Sequence, residues 1–196
     1  MNIIILGAPG SGKGTQSELI IKNHGLRHIS TGDILRNEIA KNSELGKTVA
    51  DYMSRGLLIP DEVIINVLDN LLEEQMPEKG IIFDGFPRTI PQAEALKKML
   101  NKRKQEVSAV IGLEVPEDEL TARLIKRGEI SGRSDDNEET IKKRIRVYHE
   151  NTEPLTAYYK KAAIYCPITG KRSVEEIAEQ INEAITNMKN RPGDNS

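Results

Sequence analysis

The chain begins with an apolar run that gives way to glycine-rich and then to helical sequence. Asn2–Leu6 is almost wholly apolar, as expected of a parallel strand buried on both faces. Two further apolar runs, Gly80–Asp84 and Ala109–Glu114, have the same character. Segments with helical spacing separate these runs and follow the last of them. The alternation predicts an α/β fold in which helices cover both faces of a parallel sheet.

The polar and apolar spacing predicts a series of helices. They are Gly14–Asn23, Gly32–Lys41, Leu45–Arg55, Asp61–Glu74, Pro91–Lys102, Pro116–Lys126, Glu138–Tyr159 and Val174–Met188. Pro91 and Pro116 suit the first turn of a helix, where a missing N–H costs nothing. Pro154 lies inside the pattern at Glu138–Tyr159, so we expect it to kink that helix or divide it in two.

The order of these segments predicts one domain over 1–196 with two insertions. Its core comprises 1–29, 60–126 and 137–189. Residues 30–59 have short helical patterns without a strand, which indicates an inserted helical lobe. The polar, glycine-bearing residues 127–136 indicate a short mobile lid, although a plain loop between helices also fits this pattern. The tail at 190–196 is polar and is expected to be disordered.

Composition narrows the class of protein. Apolar residues make up 37% of the chain and charged residues 30%, with a net charge of −2. This balance argues against general affinity for nucleic acid or membranes. The one cysteine, Cys166, excludes a disulfide framework and a cysteine-rich zinc site. With no apolar segment long enough to span a bilayer, we expect a cytoplasmic protein.

The segment between the first strand and the first helix predicts a phosphate site. Gly7, Gly12 and Lys13 have the G-x-x-x-x-G-K spacing of a P-loop. Glycines let successive N–H groups point at an anion, while the helix N-terminus and the lysine attract phosphate. The usual hydroxyl is displaced by one position, since Gly14 precedes Thr15. A glycine-rich surface turn has similar residues, but the order of strand, loop, lysine and helix favours a nucleoside triphosphate site.

Two other segments have candidate chemistry. Asp84 ends an apolar strand and resembles the acid that holds Mg²⁺ through water in P-loop proteins. An aspartate at the end of a strand is also common as a helix cap or a loop residue, which is the alternative interpretation. Arg88 follows it after a proline. In the segment STGD, Ser30 or Thr31 is interpreted first as a helix N-cap, with Arg36 one turn further on.

Taken together, these segments resemble the adenylate kinase family. The matching sequences are GAPGSGKGT, STGDILR, DGFPRTIPQAEAL and RLIKRGEISGRSDDNEETIKKR, in the family's order and over nearly the whole chain. The displaced hydroxyl in GKGT is also the family's form. The resemblance implies a P-loop NTPase-type fold and reversible phosphoryl transfer from Mg·ATP to AMP, giving two ADP. It further implies a monomer with a short lid that lacks the zinc site of some long-lid relatives.

The resemblance also implies a role for each matching residue. The ATP-binding set is Gly10, Ser11, Gly12, Lys13, Gly14, Thr15, Arg123, Arg127 and, through its backbone, Arg172. The AMP-binding set is Thr31, Arg36, Leu57, Leu58, Ile59, Gly85, Phe86, Pro87, Arg88, Gln92, Arg133 and Arg144. The residues expected to be catalytic are Lys13, Arg88, Arg123, Arg133 and Arg144. Asp33 and Asp84 are expected to hold the Mg²⁺ cofactor through water.

The chemistry of this reaction agrees with the residues present. A phosphate acceptor has a charge of roughly −1.5 to −2 at neutral pH and needs no general base. His24, His28 and His149 fall outside the motifs and are expected at the surface or in packing. Two mutually repelling anions instead need neutralisation and alignment, which arginines provide through bidentate bonds. We expect Arg133 to arrive when the lid closes and excludes water.

Two alternatives remain open at this stage. A UMP/CMP kinase has the same P-loop, GFPR segment and short lid; Thr31 and Gln92 favour AMP because a glutamine amide can pair with an adenine edge. A GTPase-like switch would have a guanine-reading N-K-x-D segment, which this sequence lacks. Initial rates with AMP, CMP and UMP would separate these functions.

Overall fold

The structure, a computed structural model, describes residues 1–74, 77–131, 133 and 135–189. The strands are β1 (Asn2–Gly7), β2 (Arg27–Ser30), β3 (Ile81–Asp84), β4 (Ala109–Glu114) and β5 (Tyr165–Thr169). The helices are α1 (Lys13–His24), α2 (Thr31–Ala40), α3 (Glu44–Ser54), α4 (Asp61–Glu74), α5 (Ile90–Lys102), α6 (Glu117–Ser131), α7 (Glu138–Val147), α8 (Pro154–Lys161) and α9 (Val174–Lys189). A short π-helix, Tyr148–Thr152, joins α7 to α8.

The strands form one parallel sheet in the order β2-β3-β1-β4-β5. The glycine-rich loop therefore follows the central strand. In the register of β1 and β3, Ile5 lies opposite Asp84, so the acid and the loop lie at the same end of the sheet. The α/β class predicted from the alternating pattern is confirmed.

Alternate residues of the central strands pack against different helices. Ile4 and Leu6 belong to a core formed with α2, α3, α4, α5 and α8, in which Leu68 and Leu96 are wholly buried. Ile3 and Ile5 belong to a second core on the other face, formed mainly with α1 and α9. Burial on both faces explains why β1 is apolar at every position between Ile3 and Leu6.

The sequence analysis did not predict β2 and β5, which are the two edge strands. β2 has the sequence RHIS and β5 the sequence YCPIT, so neither is an apolar run. Edge strands are exposed on one side and tolerate polar residues and proline, as at Pro167. β2 ends at Ser30, the first residue of the predicted helical lobe, which otherwise contains α2 and α3.

The predicted break at Pro154 is confirmed. The helical segment ends at Val147, passes through the π-helix and resumes in α8 with proline in its first turn. α6 continues to Ser131, so helix occupies part of the predicted lid. Gly132 and Ser134 of the lid, and the tail at 190–196, lie outside the described residues. Within the described ranges, no helix is both long and apolar enough to cross a bilayer.

Candidate active site

A cleft of about 460 Å³ opens at the carboxyl ends of β1 and β3. Ligands of parallel α/β sheets bind at this edge, outside the ends of the strands. The glycine-rich loop forms one wall, and α2, the Asp84–Arg88 segment, α6 and α7 form the others. A smaller cavity of about 70 Å³ adjoins it, between α2, the end of α3 and the start of α5.

The glycine-rich loop has the backbone of an anion site. Gly10 and Gly12 have φ angles of 86° and 93°, in the left-handed region that favours glycine. A Cβ on Gly10 would lie 2.9 Å from the carbonyl oxygen of Leu120, so the close packing of α6 also requires glycine there. Gly12 caps α1 without a side-chain hydrogen bond, and a Cβ on it would meet nothing within 4 Å. Gly12 and the first three residues of α1 line the cleft, so the helix begins at its wall.

Lys13 lies across its own loop. Its Nζ donates to the carbonyl oxygens of Gly7 at 2.7 Å and Ala8 at 3.0 Å. The pKa of this ammonium is lowered to about 8. Burial is the main cause and the positive charge of Arg88 adds to it, while the negative charge of Asp84 opposes both. The protonated form of Lys13 is therefore disfavoured mainly by burial, and the nearby arginines add to this effect. A lysine with so perturbed a pKa in a cleft marks a candidate functional site.

Most of the predicted arginines meet in the larger cleft. The lining arginines are Arg36, Arg88, Arg123, Arg127, Arg133 and Arg144. Arg123 is held by Glu119 at 2.9 Å and by the carbonyl oxygen of Gly170 at 3.0 Å. Arg172 does not line either cavity: it is exposed in the turn after β5, two residues beyond Gly170. Its proposed backbone contact with ATP stays a prediction.

Two acids that the sequence analysis missed hold these arginines in place. Arg127 donates to both carboxylate oxygens of Asp136, at 2.6 and 2.8 Å. Arg144 contacts the same carboxylate at 2.6 Å and that of Asp135 at 2.8 Å. Burial by itself would raise the pKa of Asp136, but its contacts with Arg127 and Arg144 outweigh burial and lower it. Adjacent acids between two predicted phosphate-binding arginines were the available signal.

The two acids predicted to hold magnesium both face the cleft. Asp33 accepts from Arg36 at 2.5 Å and lies 4.0 Å from Arg133, which already lines the cleft. Burial opposes ionisation of Asp84, but contact with His28 and the charge of Lys13 hold its pKa below the usual value. His28, expected at the surface or in packing, lies with its Nε2 3.7 Å from this carboxylate.

The donor set fits magnesium held through water better than a closed protein site. Among the described residues, no group of three histidine, cysteine or acidic side chains lies close enough to hold a metal directly. Mg²⁺ prefers oxygen ligands and retains several waters, using one or two carboxylates together with substrate phosphates. Asp33 and Asp84, both ionised, provide such oxygens on the wall of the cleft.

The smaller cavity brings together residues that are distant in sequence. Among its lining residues are Thr31, Arg36, Leu57, Leu58, Ile59, Gly85, Arg88, Gln92 and Arg144. Thr31 is buried and donates to the carbonyl oxygen of Gly85 at 2.9 Å, while the neighbouring Ser30 caps α2. Pro87 lines the larger cleft instead. Phe86 lies in the core with 1% of its surface exposed and lines neither cavity.

Gln92 is one of the buried polar residues that line this cavity, with 2% of its surface exposed. Its side chain accepts from the backbone N–H of Arg88 and donates to Asp61, each at 2.7 Å. Thr89, which caps α5, also donates to Asp61 at 3.0 Å. The sequence analysis missed Asp61, because an acid in the first turn of a helix is common and gives no sign of a distant partner.

Comparison with known proteins agrees with this arrangement. A sequence model of the family described as "Adenylate kinase" matches residues 5–164. Curated proteins with this name from Parabacteroides distasonis and Bacteroides thetaiotaomicron are each 57% identical to this chain, over 96% of it and 100% of the relative. One from Porphyromonas gingivalis is 50% identical over 92% of this chain and 93% of the relative. The chain, with its P-loop, convergent arginines and second cavity, belongs to the adenylate kinase family.

Proposed function

We propose that this chain transfers a phosphoryl group reversibly from ATP to AMP, giving two ADP, with ATP in the larger cleft and AMP in the smaller cavity. One observation carries the assignment of the two substrates: Arg36, Arg88 and Arg144 line both cavities. Phosphates that enter from the two sides would therefore meet at shared guanidinium groups. In-line transfer requires this convergence, because the donor and acceptor anions repel each other in its absence.

On the donor side, the backbone does most of the binding. The N–H groups of 10–15 surround the ATP phosphates, and the open N-terminus of α1 adds its partial positive charge. Lys13 exchanges its two present acceptors, the carbonyl oxygens of Gly7 and Ala8, for phosphate oxygens of ATP. Arg123 and Arg127 approach from α6 and Arg172 from the turn after β5.

On the acceptor side, side chains from separate segments surround the nucleotide. Leu57, Leu58 and Ile59 follow α3 and offer backbone and apolar contacts to a base. Gln92 is the base-reading group, because it is a buried amide directed at this cavity. Arg36 and Arg88, which both line this cavity, bind the phosphate of AMP.

The transfer step depends on neutralisation rather than on a base. The attacking phosphate oxygen is already ionised at neutral pH, so no proton has to be removed. Arg88 and Arg144 stabilise charge that moves from one phosphate chain to the other. Asp135 and Asp136 hold the guanidinium groups of Arg144 and Arg127 in place before substrates arrive, which lowers the reorganisation needed at the moment of transfer.

Magnesium belongs to the ATP complex of this family. Asp33 and Asp84 would hold its water ligands, since both are ionised and both line the cleft. When bound, the ion would supply positive charge that neutralises the donor phosphates. Within this chain, Lys13 beside Asp84 provides the fixed positive charge on the same wall.

Two segments are proposed to move. Residues 30–59 form the AMP lobe and residues 127–136 the short lid, carried on the remaining core. Closure of the lid would bring Arg133 onto the phosphates and exclude water that would otherwise hydrolyse ATP.

A monomeric state and a cytoplasmic location complete the proposal. The monomeric state rests on the family, and the cytoplasmic location rests on the single cysteine.

A coupled assay with ATP and each nucleoside monophosphate tests the proposed function. We expect AMP to give the highest initial rate without any partner protein. Faster turnover of CMP or UMP would make the chain a pyrimidine kinase instead. Absence of transfer to all three, with nucleotide binding retained, would favour a switch protein.

A further inference from the structure

The side-chain amide of Gln92 is held by one hydrogen-bond partner that can only donate and one that can only accept. Its Oε1 accepts from the backbone N–H of Arg88 at 2.7 Å, and its Nε2 donates to Oδ1 of Asp61 at 2.7 Å. A backbone N–H can only donate, and an ionised carboxylate can only accept. Turning the amide over would set two donors against each other and two acceptors against each other.

Asp61 is itself fixed by a second directional bond. Thr89 donates its only hydroxyl hydrogen to Oδ2 of Asp61 at 3.0 Å, while its oxygen accepts from the backbone N–H of Gln92 at 3.2 Å. The start of α4 is thereby tied to the start of α5. Because Gln92 is only 2% exposed, water has little room to replace either partner of its amide.

The fixed amide leaves a defined pattern for a base. A glutamine amide has two N–H groups and two oxygen lone pairs, and the described contacts use one of each. One donor and one acceptor remain, in a fixed order. Adenine matches this pair, since its amino group lies next to a ring-nitrogen acceptor on either side. Hypoxanthine and uracil have a carbonyl oxygen where adenine has the amino group, so they would set oxygen against oxygen.

We infer that Asp61 is a positioning residue that fixes which way the oxygen and nitrogen of the Gln92 amide face. The acceptor site thereby selects bases with an amino group over bases with a carbonyl oxygen at the same position. The inference rests on the proposed function, since it takes the smaller cavity as the acceptor-base site. The inference also treats the two pyrimidine substrates differently. The orientation of the amide disfavours UMP. CMP offers the same donor and acceptor as AMP, so only the size of the cavity can distinguish CMP from AMP.

Asp61→Asn tests this inference, because an asparagine of the same shape can donate as well as accept. The measurement is kcat/KM for AMP and for IMP, at saturating ATP, in the wild type and the variant. We expect the wild type to prefer AMP by about a hundredfold or more. In Asp61→Asn the AMP-to-IMP ratio should fall by about tenfold, the worth of one mismatched hydrogen bond, mainly through a lower KM for IMP.

Glu62→Gln is the matched control. Glu62 is exposed and, like Asp61, is an acid in the first turn of α4, so its loss removes the same charge from the helix N-terminus. This variant should keep the wild-type ratio. Thr89→Val, which releases Asp61 Oδ2, should shift the ratio in the same direction as Asp61→Asn but by less.

The possible outcomes separate the inference from the function on which it rests. An unchanged AMP-to-IMP ratio in both Asp61→Asn and Thr89→Val overturns the inference, as does an equal loss of activity toward AMP and IMP. A wild-type enzyme that does not phosphorylate AMP contradicts the proposed function itself.

Discussion

The donor and acceptor sides of the cleft are built in different ways. The donor side is built around one continuous segment, the glycine-rich loop with Lys13, to which Arg123 and Arg127 are added from α6. The acceptor side joins α2, the end of α3, the Gly85–Arg88 turn and Gln92, which are far apart in sequence. A continuous backbone loop recognises phosphate, which many nucleotides share, whereas the assembled cavity has the side chains that can distinguish one base from another.

The largest expected effect is on the donor side, because transfer to every nucleoside monophosphate requires the bound ATP. Lys13→Met should lower kcat by about a thousandfold or more with every nucleoside monophosphate, since it removes a charge that contacts the transferred group. The measurement is the initial rate with saturating ATP. Lys22→Met, on the exposed part of the same helix, is the control and should stay near wild type. Wild-type turnover in Lys13→Met would remove this lysine from the mechanism.

Arg88 lines both cavities, and its removal tests whether this arginine serves AMP and the transfer step rather than the binding of ATP. Arg88→Ala should lower kcat/KM for AMP by about a hundredfold to a thousandfold, as expected for one lost donor worth about 2.7–4 kcal/mol. The dissociation constant of ATP, measured by calorimetry, should change by less than about threefold. Arg146→Ala, on the exposed face of α7, serves as the control. A loss of ATP affinity as large as the loss of turnover would contradict the division between the two sides.

Asp136 holds arginines that the donor and acceptor sides need for transfer, namely Arg127 and Arg144. Asp136→Asn keeps the shape but removes the charge that holds Arg127 and Arg144. We expect kcat to fall by about tenfold, because charge-assisted hydrogen bonds weaken and two guanidinium groups lose their fixed positions. Glu138→Gln, which breaks an exposed pair with Lys142, should leave turnover unchanged. Equal activity in both variants would mean that Asp136 does not organise the arginines.

The smallest effect concerns pH and the donor side. Since the pKa of Lys13 is about 8 in the protein alone, and bound phosphate raises it, ATP binding should take up a proton above pH 8. ATP affinity should therefore fall as pH rises, by about tenfold between pH 7.5 and 9.5. Calorimetry across this range measures it, with Lys13→Met as the control that should lose the dependence. Affinity that is constant or rises with pH would contradict the assigned pKa.

The same contrast explains how much could be predicted from the sequence. The central strands, most helices and the place of the glycine-rich loop depend on local patterns, and the structure confirms these three features. The edge strands β2 and β5 have no apolar run, so their places follow only from pairing with β3 and β4. Asp61, Asp135 and Asp136 act through partners on other segments or across a turn. Their residue types alone are also those of ordinary helix-start and loop acids.

Binding of a compound in which two adenosines are joined through five phosphates tests the central claim most directly. Because Arg36, Arg88 and Arg144 line both cavities, one molecule can occupy both at once. We expect its dissociation constant to lie at least about a hundredfold below that of ATP or AMP alone, and this gain to disappear in Arg88→Ala. Wild-type affinity no greater than that of ATP would show that the two cavities do not form one site.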